Sequence, residues 1–326
     1  MSERIILSDI ASTAWEHPAD RAALNTLRAI PGFDQVVRRV AGFFGERGVR
    51  QLFLANAVRV GPTQRPRLWA QYQEVVRTLD WPEVPELYVS QTPIVNAMAV
   101  GFERPFIVLN SGLLDLLDEG ERRDVLGHEL GHIMSGHATY TTIAIIILTV
   151  GINNLPFLAG IALLPFQLAL MEWYRSAEFS ADRAGLLATQ DLRASAGTML
   201  KLAGGRAGDD TISIDAFLEQ ASHYEGQPEL ADKVWQVINT AFRTHPFATV
   251  RAAELQRWAQ GGAYDAILRG DYRRRGDAQG PPLASDLGDA AQYYGEQARK
   301  AADSLSGMVG RAREAFDAAF KGASGS

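Results

Sequence analysis

The segment from Ala138 to Met171 carries no charged residue over 34 positions, and it constrains the fold more than any other part of the sequence. Such a segment must be buried in the protein or lie against lipid. A helix that spans a bilayer needs about 20 apolar residues. Asn153, Asn154 and Pro156 divide this segment into two shorter halves. We therefore predict an apolar helical hairpin over 138–171 that is buried or lies at a membrane interface. A pair of transmembrane helices is the alternative.

The composition of the whole chain is that of a globular protein, and it excludes several kinds of site. The 326 residues are 47% hydrophobic and 21% charged, which is enough apolar material for a substantial core. Cysteine is absent, so disulfides and thiolate zinc sites are excluded, and any metal must be held by His, Asp or Glu. The net charge of −6 does not favour binding to nucleic acid.

The N-terminal sequence has no basic start followed by an apolar run, so it does not predict a signal peptide. We expect a cytoplasmic protein, with peripheral or integral placement at the inner membrane as the alternative. Membrane contact would be made through 138–171 or through the C-terminal helix.

Apolar spacing along the chain predicts an α+β fold that is mostly helical. Up to about Trp81, apolar residues recur three or four positions apart, as they do in helices. Three short, β-branched segments follow and are predicted strands: Glu86–Ser90, Ile94–Val100 and Pro105–Asn110. Helical spacing then returns, with Ser111 as a suitable helix start. We expect a small antiparallel sheet beside a bundle of helices.

The same patterns divide the chain into four predicted regions. Residues 1–65 form an N-terminal helical region, and 66–270 form the main domain with the apolar hairpin inside it. Residues 271–289 are a linker, because this stretch contains the sequence RRRGDAQGPPLASDLGD, whose Gly, Pro, Ser and Asp residues are typical of a flexible connection. Residues 290–326 are an Ala-rich amphipathic helix or tail.

The sequence from His128 to His132 fits the pattern H-E-x-x-H. Residues four apart lie on one face of a helix, so both imidazoles can reach one metal ion. Glu129 is turned about 100° from His128, which suits a carboxylate that takes a proton from the attacking water. The five-residue pattern also fits two surface histidines beside a solvated glutamate, so the site needs a third ligand.

Two candidates for that ligand follow along the chain. His137 is displaced by one position from the spacing of known three-histidine sites, and on a continuing helix it would point away from the ion. We therefore interpret it as a polar residue at the helix end or one that supports a ligand. Glu178 and Asp182 are again four apart. Glu178 can complete a His, His, Glu site with an open fourth position, and Asp182 can accept the free ring N–H of a ligand histidine.

The stretch RTHPFATVR, from Arg243 to Arg251, offers two further candidates. A peptide carbonyl under attack develops an oxyanion, which a cation or N–H donor opposite the metal stabilises. His245 is a candidate for that role. Arg251 is a candidate for orienting His245 or binding substrate.

Taken together, these motifs resemble the M48 family of zinc metallopeptidases. The segments NAMAVG, PFIVLNSGLLDLL, HELGH, EFSADRAG and THPFATVR occur in the order found in that family, between about Ala70 and Arg257. The resemblance implies a zincin-like fold with zinc ligands His128, His132 and Glu178. It also implies that Glu129 is the catalytic base.

Further residue roles follow from the resemblance alone. Asp182 would orient His128, and His245 with Arg251 would lie in the cleft. Substrate backbone would pair with an edge strand formed by Asn96, Ala97, Met98 and Ala99.

The expected function is that of a zinc-dependent metalloendopeptidase with one zinc ion per chain and polypeptide substrates. Two alternatives remain. One is a non-proteolytic peptide-binding or chaperone-like module that retains a structural zinc. The other is a membrane-embedded peptidase that acts on lipidated or transmembrane proteins.

Overall fold

The computed structural model of the chain describes residues 4–30, 33–150, 163–205, 212–226 and 247–277. For 148–150, 163–169 and 224–226 it describes the backbone alone. The middle of the predicted hairpin, His245, most of the predicted linker and the predicted C-terminal tail lie outside these residues.

The N-terminal region is helical, as its apolar spacing predicts. A 3-10 helix (Ser12–Ala14) precedes helices α1 (Pro18–Ala29), α2 (Phe33–Leu54) and α3 (Pro66–Thr78). Helix α1 begins with Pro at its first position, where the missing N–H costs nothing, and the ring of His17 accepts a hydrogen bond from the backbone N–H of Ala19. Gly45 interrupts α2 with a φ of 59°, which kinks that helix.

The sheet has the order β1-β2-β4-β3, formed by Ala57–Arg59, Glu86–Ser90, Phe106–Asn110 and Ala97–Val100 respectively. The β1–β2 and β3–β4 pairs are antiparallel, but β2–β4 is parallel. The purely antiparallel sheet that we expected is therefore corrected to a mixed one. The chain passes from β2 to β3 and returns as β4 between them, so β4 runs in the same direction as β2.

Both faces of the sheet are covered, and this explains why all five residues of β4 are buried. Ile107 and Leu109 belong to a core shared with α3 and with the helix that follows β4. Phe106 and Val108 alternate with them and belong to a second core shared with α2. Strand β1 escaped prediction because its three residues are half-buried or exposed and show no clear alternation.

The remaining helices of the described residues follow β4. They are α4 (Ser111–Leu116), α5 (Glu119–Met134), α6 (Ala138–Val150), α7 (Leu163–Thr189), α8 (Leu192–Gly204), α9 (Ile214–Gly226), α10 (Ala248–Gln260) and α11 (Ala263–Leu268). Helix α5 starts with a capping box in which Asp118 and Glu121 satisfy each other's backbone N–H groups. The expected α+β class, mostly helical, is confirmed. Among the described residues, no helix is long and apolar enough to cross a membrane.

Helices α5 and α7 pack unusually closely because small residues face each other across the contact. A Cβ placed on Gly127 would lie 2.3 Å from Cβ of Ala188. One placed on Gly131 would lie 2.4 Å from Cβ of Ala184. Ordinary carbon–carbon contacts are about 3.5–4.0 Å, so glycine is needed at both positions. This close approach brings the residues of H-E-x-x-H against the side chains of α7.

Candidate metal centre

Three side chains converge between α5 and α7. The Nε2 atoms of His128 and His132 lie 3.2 Å apart. Glu178 Oε1 lies 3.4 Å from Nε2 of His132, and Glu178 Oε2 lies 3.7 Å from Nε2 of His128. Ligands held at 2.0–2.1 Å by a tetrahedral ion are about 3.3 Å from each other. The two imidazole nitrogens and the carboxylate are thus close enough to share one ion, with one ligand atom from each residue within 4.8 Å of the others.

His128 is held from behind by a carboxylate. Its Nδ1 lies 3.0 Å from Asp182 Oδ1. Nδ1 therefore donates its proton to Asp182, and Nε2 faces the candidate metal position. Carboxylates commonly accept such a hydrogen bond from histidines that bind metals. Burial opposes the anion of Asp182, but Arg251 and His128 outweigh it and hold the pKa of Asp182 below its usual range.

Arg251 lies against the carboxylates of the site. Its Nε and Nη2 donate to the two oxygens of Asp182 at 2.8 and 2.5 Å, and its Nη1 lies 3.1 Å from Glu178 Oε2. The guanidinium is therefore paired with protein carboxylates. Burial lowers its pKa, but the charges of Asp182 and Glu178 dominate and raise it above the ordinary value. Its predicted action on His245 or on substrate stays a prediction.

The two histidines that face each other have opposite tendencies to bind a proton. Burial lowers the pKa of His128, but Asp182 and Glu178 outweigh burial and raise it to about 9. Burial dominates at His132 and lowers its pKa to about 4. His128 is therefore the histidine of this pair that binds a second proton more readily.

His137 supports His132 instead of pointing away from the site. Its Nδ1 lies 3.0 Å from Nδ1 of His132. The expectation that it would point away assumed a continuing helix, but α5 ends at Met134 and Gly136 has a φ of 70°. This turn brings the ring of His137 back against His132. The glycine one residue before His137 was the sequence signal for such a helix end.

Glu129 lies in the same cavity with one oxygen available. The backbone of Ala99 hydrogen-bonds its carboxyl group, whereas its buried Oε2 has no hydrogen-bond partner among the described residues. Burial, reinforced by Glu178, outweighs His128 and raises the pKa of Glu129 to about 7. A carboxylate with that pKa is well matched to giving and taking a proton near neutral pH.

A cleft of about 760 Å³ opens onto these groups. Asn96 and Ala97 line it, whereas Met98 belongs to the core on the other face of the sheet. Of the four residues predicted to bind substrate, three thus contact the cleft or Glu129, and Met98 does not. Apolar side chains line much of the remainder: Val95, Leu113, Val125, Met199, Leu202 and Phe247.

Comparison with known proteins decides the family. Residues 62–259 match the family model described as Peptidase family M48. The chain belongs to peptidase family M48. The predicted recognition is therefore confirmed, and the M48 match extends from just before α3 almost to the end of α10.

Two curated relatives of this M48 chain span most of it. It is 33% identical over 275 residues to the plastoglobule-localized metallopeptidase 48 of Arabidopsis thaliana, which covers 83% of this chain and 79% of the relative. It is 30% identical over 225 residues to a protease HtpX homolog of Pseudarthrobacter chlorophenolicus, which covers 63% of this chain and 76% of that relative. No solved structure matches the chain significantly. As an M48 member, the chain is a metallopeptidase whose substrates are polypeptides.

Proposed function

We propose that this M48 chain is a zinc-dependent metalloendopeptidase with one zinc ion per chain. The observation that carries the proposal is the meeting of His128, His132 and Glu178 beside the available oxygen of Glu129. Two imidazoles and one carboxylate, with a further position open, are the donor set of catalytic zinc sites, whereas structural zinc sites have four protein ligands. The arrangement thus favours an enzyme over a module with a structural zinc.

Each residue has a separate part in the proposed reaction. Zinc, when bound, would polarise the scissile carbonyl and lower the pKa of a water molecule to about 7. Glu129 takes the proton of the attacking water and later delivers it to the leaving amine. Asp182 fixes the ring of His128, and we propose that Arg251 acts by holding the carboxylates of Asp182 and Glu178 in place. We retain His245 as the proposed donor to the oxyanion.

The proposed substrate is an extended polypeptide that pairs with β3. This strand is hydrogen-bonded to β4 on one side, and within the described sheet it is an edge strand. Exposed edges recognise peptides by adding a further strand. Asn96 and Ala97 lie both at this edge and in the wall of the cleft, so a peptide paired there would pass in front of Glu129.

The described part of the apolar segment supports a buried role. Ile143, Ala144 and Ile146 of α6 are at most 1% exposed and pack in the core with α2. We propose that 138–150 is a core element, and that contact with a membrane is peripheral. Carbonate extraction of membranes from cells that express the protein tests this. Release into the supernatant is expected, and retention in the membrane fraction would support the membrane-embedded alternative.

The test of the mechanism compares Glu129→Gln, Glu178→Ala and Glu219→Gln. Glu129→Gln is expected to keep one zinc ion and to lose at least about a hundredfold in casein cleavage, because proton transfer is removed but the ligands remain. Glu178→Ala is expected to lose zinc. Glu219→Gln alters an exposed glutamate of α9 and serves as the matched control, with unchanged zinc and activity.

Zinc content and casein cleavage are measured with and without a chelator. Cleavage by Glu129→Gln at the wild-type rate would refute the role of Glu129. A wild-type protein that holds zinc but cleaves nothing, with a chelator making no difference, would favour the peptide-binding alternative.

A further inference from the structure

A buried chain of polar side chains runs from His132 to the N-terminal helix α1. Beyond the contact between His132 and His137, Nε2 of His137 lies 3.0 Å from Asp20 Oδ2. His132, His137 and Asp20 are 6%, 2% and 2% exposed. Water therefore does not compete for these hydrogen bonds.

The order of protons along this chain follows from the role of His132. A ring nitrogen that faces a metal must present a lone pair, so with Nε2 facing the site the proton of His132 lies on Nδ1. That N–H donates to Nδ1 of His137. The proton of His137 then lies on Nε2 and is donated to the carboxylate of Asp20. Asp20 accepts and never donates, so it sets the tautomer of both rings.

Asp20 is itself fixed by α7, the helix that supplies Glu178. Ser180 Oγ donates to Asp20 Oδ2 at 2.6 Å, and Trp173 Nε1 donates to Asp20 Oδ1 at 3.1 Å. The backbone N–H of His17 donates to Ser180 Oγ at 2.9 Å. The N-terminal end of α1 is therefore docked on α7 through the same carboxylate that contacts His137.

We infer that Asp20 is a positioning residue for the metal ligand His132, acting through His137, and that the docking of α1 completes the metal centre. This inference rests on the proposed function, because it takes His132 as a ligand. Asp20 lies outside the residues that match the M48 family model, which begin at residue 62. The N-terminal region thus contributes to the site and is more than an appended support.

The two histidine ligands are held in different ways. His128 is oriented directly by Asp182, a residue of the family motif EFSADRAG. His132 is oriented by an imidazole whose own partner comes from a separate region of the chain. Removal of a hydrogen-bond partner of a metal ligand typically weakens metal affinity about 10–100-fold. We expect zinc affinity to fall by that factor when the hydrogen bonds from Asp20 through His137 to His132 are disrupted.

The experiment measures zinc affinity by competition with a chromophoric chelator for the full-length protein. Asp20→Asn removes the negative charge with little change in volume, and His137→Phe removes the acceptor for His132 while keeping a ring. Each is expected to weaken zinc binding about 10–100-fold. The double variant is expected to be no weaker than His137→Phe alone, because both residues act along one chain. Losses that add in the double variant would show that the two residues act separately and would contradict the inference.

Glu254→Gln is the matched control for loss of a buried carboxylate that lies near the start of α1 but outside the path from Asp20 to His132. Glu254 is 7% exposed and lies 3.8 Å from His17. It has no ion pair with His137 or His132 among the described residues. Its zinc affinity is expected to stay within about twofold of wild type. Circular dichroism identifies any variant that does not fold, and if Asp20→Asn fails to fold, His137→Phe decides the question.

A folded Asp20→Asn or His137→Phe that binds zinc within twofold of wild type would overturn the inference. An equal loss in Glu254→Gln would also overturn it. His132→Ala separates this outcome from failure of the proposed function. If His132→Ala keeps full zinc affinity, the metal centre itself is wrong. If it loses zinc while Asp20→Asn does not, only the positioning role fails.

Discussion

The close contact between α5 and α7 makes the glycine inside H-E-x-x-H a sensitive test of how the site is built. In Gly131→Ala, the new methyl carbon would lie 2.4 Å from Cβ of Ala184, which is fully buried. An ordinary contact is about 3.5–4.0 Å, so the helices must separate locally by more than about 1 Å. Metal ligands tolerate displacements of only about 0.2 Å. We therefore expect zinc affinity to fall at least about tenfold.

The expected loss of stability can be estimated for the same variant. Overpacking costs about 1–3 kcal/mol, and the methyl meets another helix rather than a flexible chain end, which places the cost near the upper value. Alanine gains about 1 kcal/mol over glycine in a helix. The expected net loss in free energy of unfolding is about 2 kcal/mol, measured by urea denaturation of the zinc-free protein.

A second substitution turns this estimate into a decisive experiment. Ala184→Gly alone is expected to lose about 2 kcal/mol, from helix propensity and one buried methyl group. In the double variant Gly131→Ala, Ala184→Gly, the methyl moves to the other helix. Its next contacts are then 3.7 Å to Cα and 3.8 Å to O of Ala181, which are ordinary distances.

The double variant should therefore lie within about 1 kcal/mol of wild type, although the two single losses add to about 4 kcal/mol. Zinc affinity should recover with it. Gly42→Ala is the control, because a Cβ there meets nothing within 4 Å. It should leave zinc binding unchanged. A double variant whose losses simply add, or a Gly131→Ala protein with wild-type stability, would refute the steric reasoning.

Three further predictions concern charge at the centre. Zinc affinity, measured in the Glu129→Gln background, should rise about tenfold per pH unit from pH 6.5 towards 9 and then level off. Zinc must displace the proton that stays on His128 because its pKa is raised to about 9. An affinity that does not change with pH would contradict this. Arg251→Met should destabilise the zinc-free protein by about 3–5 kcal/mol in urea denaturation, because it leaves buried carboxylates without their cation; unchanged stability would show that the ion pairs contribute nothing. Zinc at 1,000 times its Kd should stabilise the wild type by about 4 kcal/mol relative to chelated protein, seen as a higher Tm; an equal Tm would argue against a folded-state metal site.

Local spacing in the sequence was enough to predict much of the centre. His128 with His132, and Glu178 with Asp182, are pairs four residues apart, so each pair shares a helix face whatever the tertiary structure. The sequence does not show that the two pairs lie against each other. In the structure they do, because Gly127 and Gly131 allow α7 to pack closely on α5.

Other features depend on contacts that spacing does not encode. Asp20 contacts His137 across 117 positions of sequence, and no local pattern marks it as part of a metal centre. The parallel pairing of β2 with β4 likewise depends on where β4 enters the sheet. The direction of the His137 side chain depended on where α5 ends, and helix ends are the least certain part of a periodicity argument.

The groups that build the centre are spread from Asp20 to Arg251 along the chain. During translation, the first of them leaves the ribosome long before the last has been made. A nascent polypeptide therefore cannot assemble the complete centre before Arg251 has been synthesised. Any hydrolytic activity that needs the complete centre can therefore begin only after all of its parts have left the ribosome.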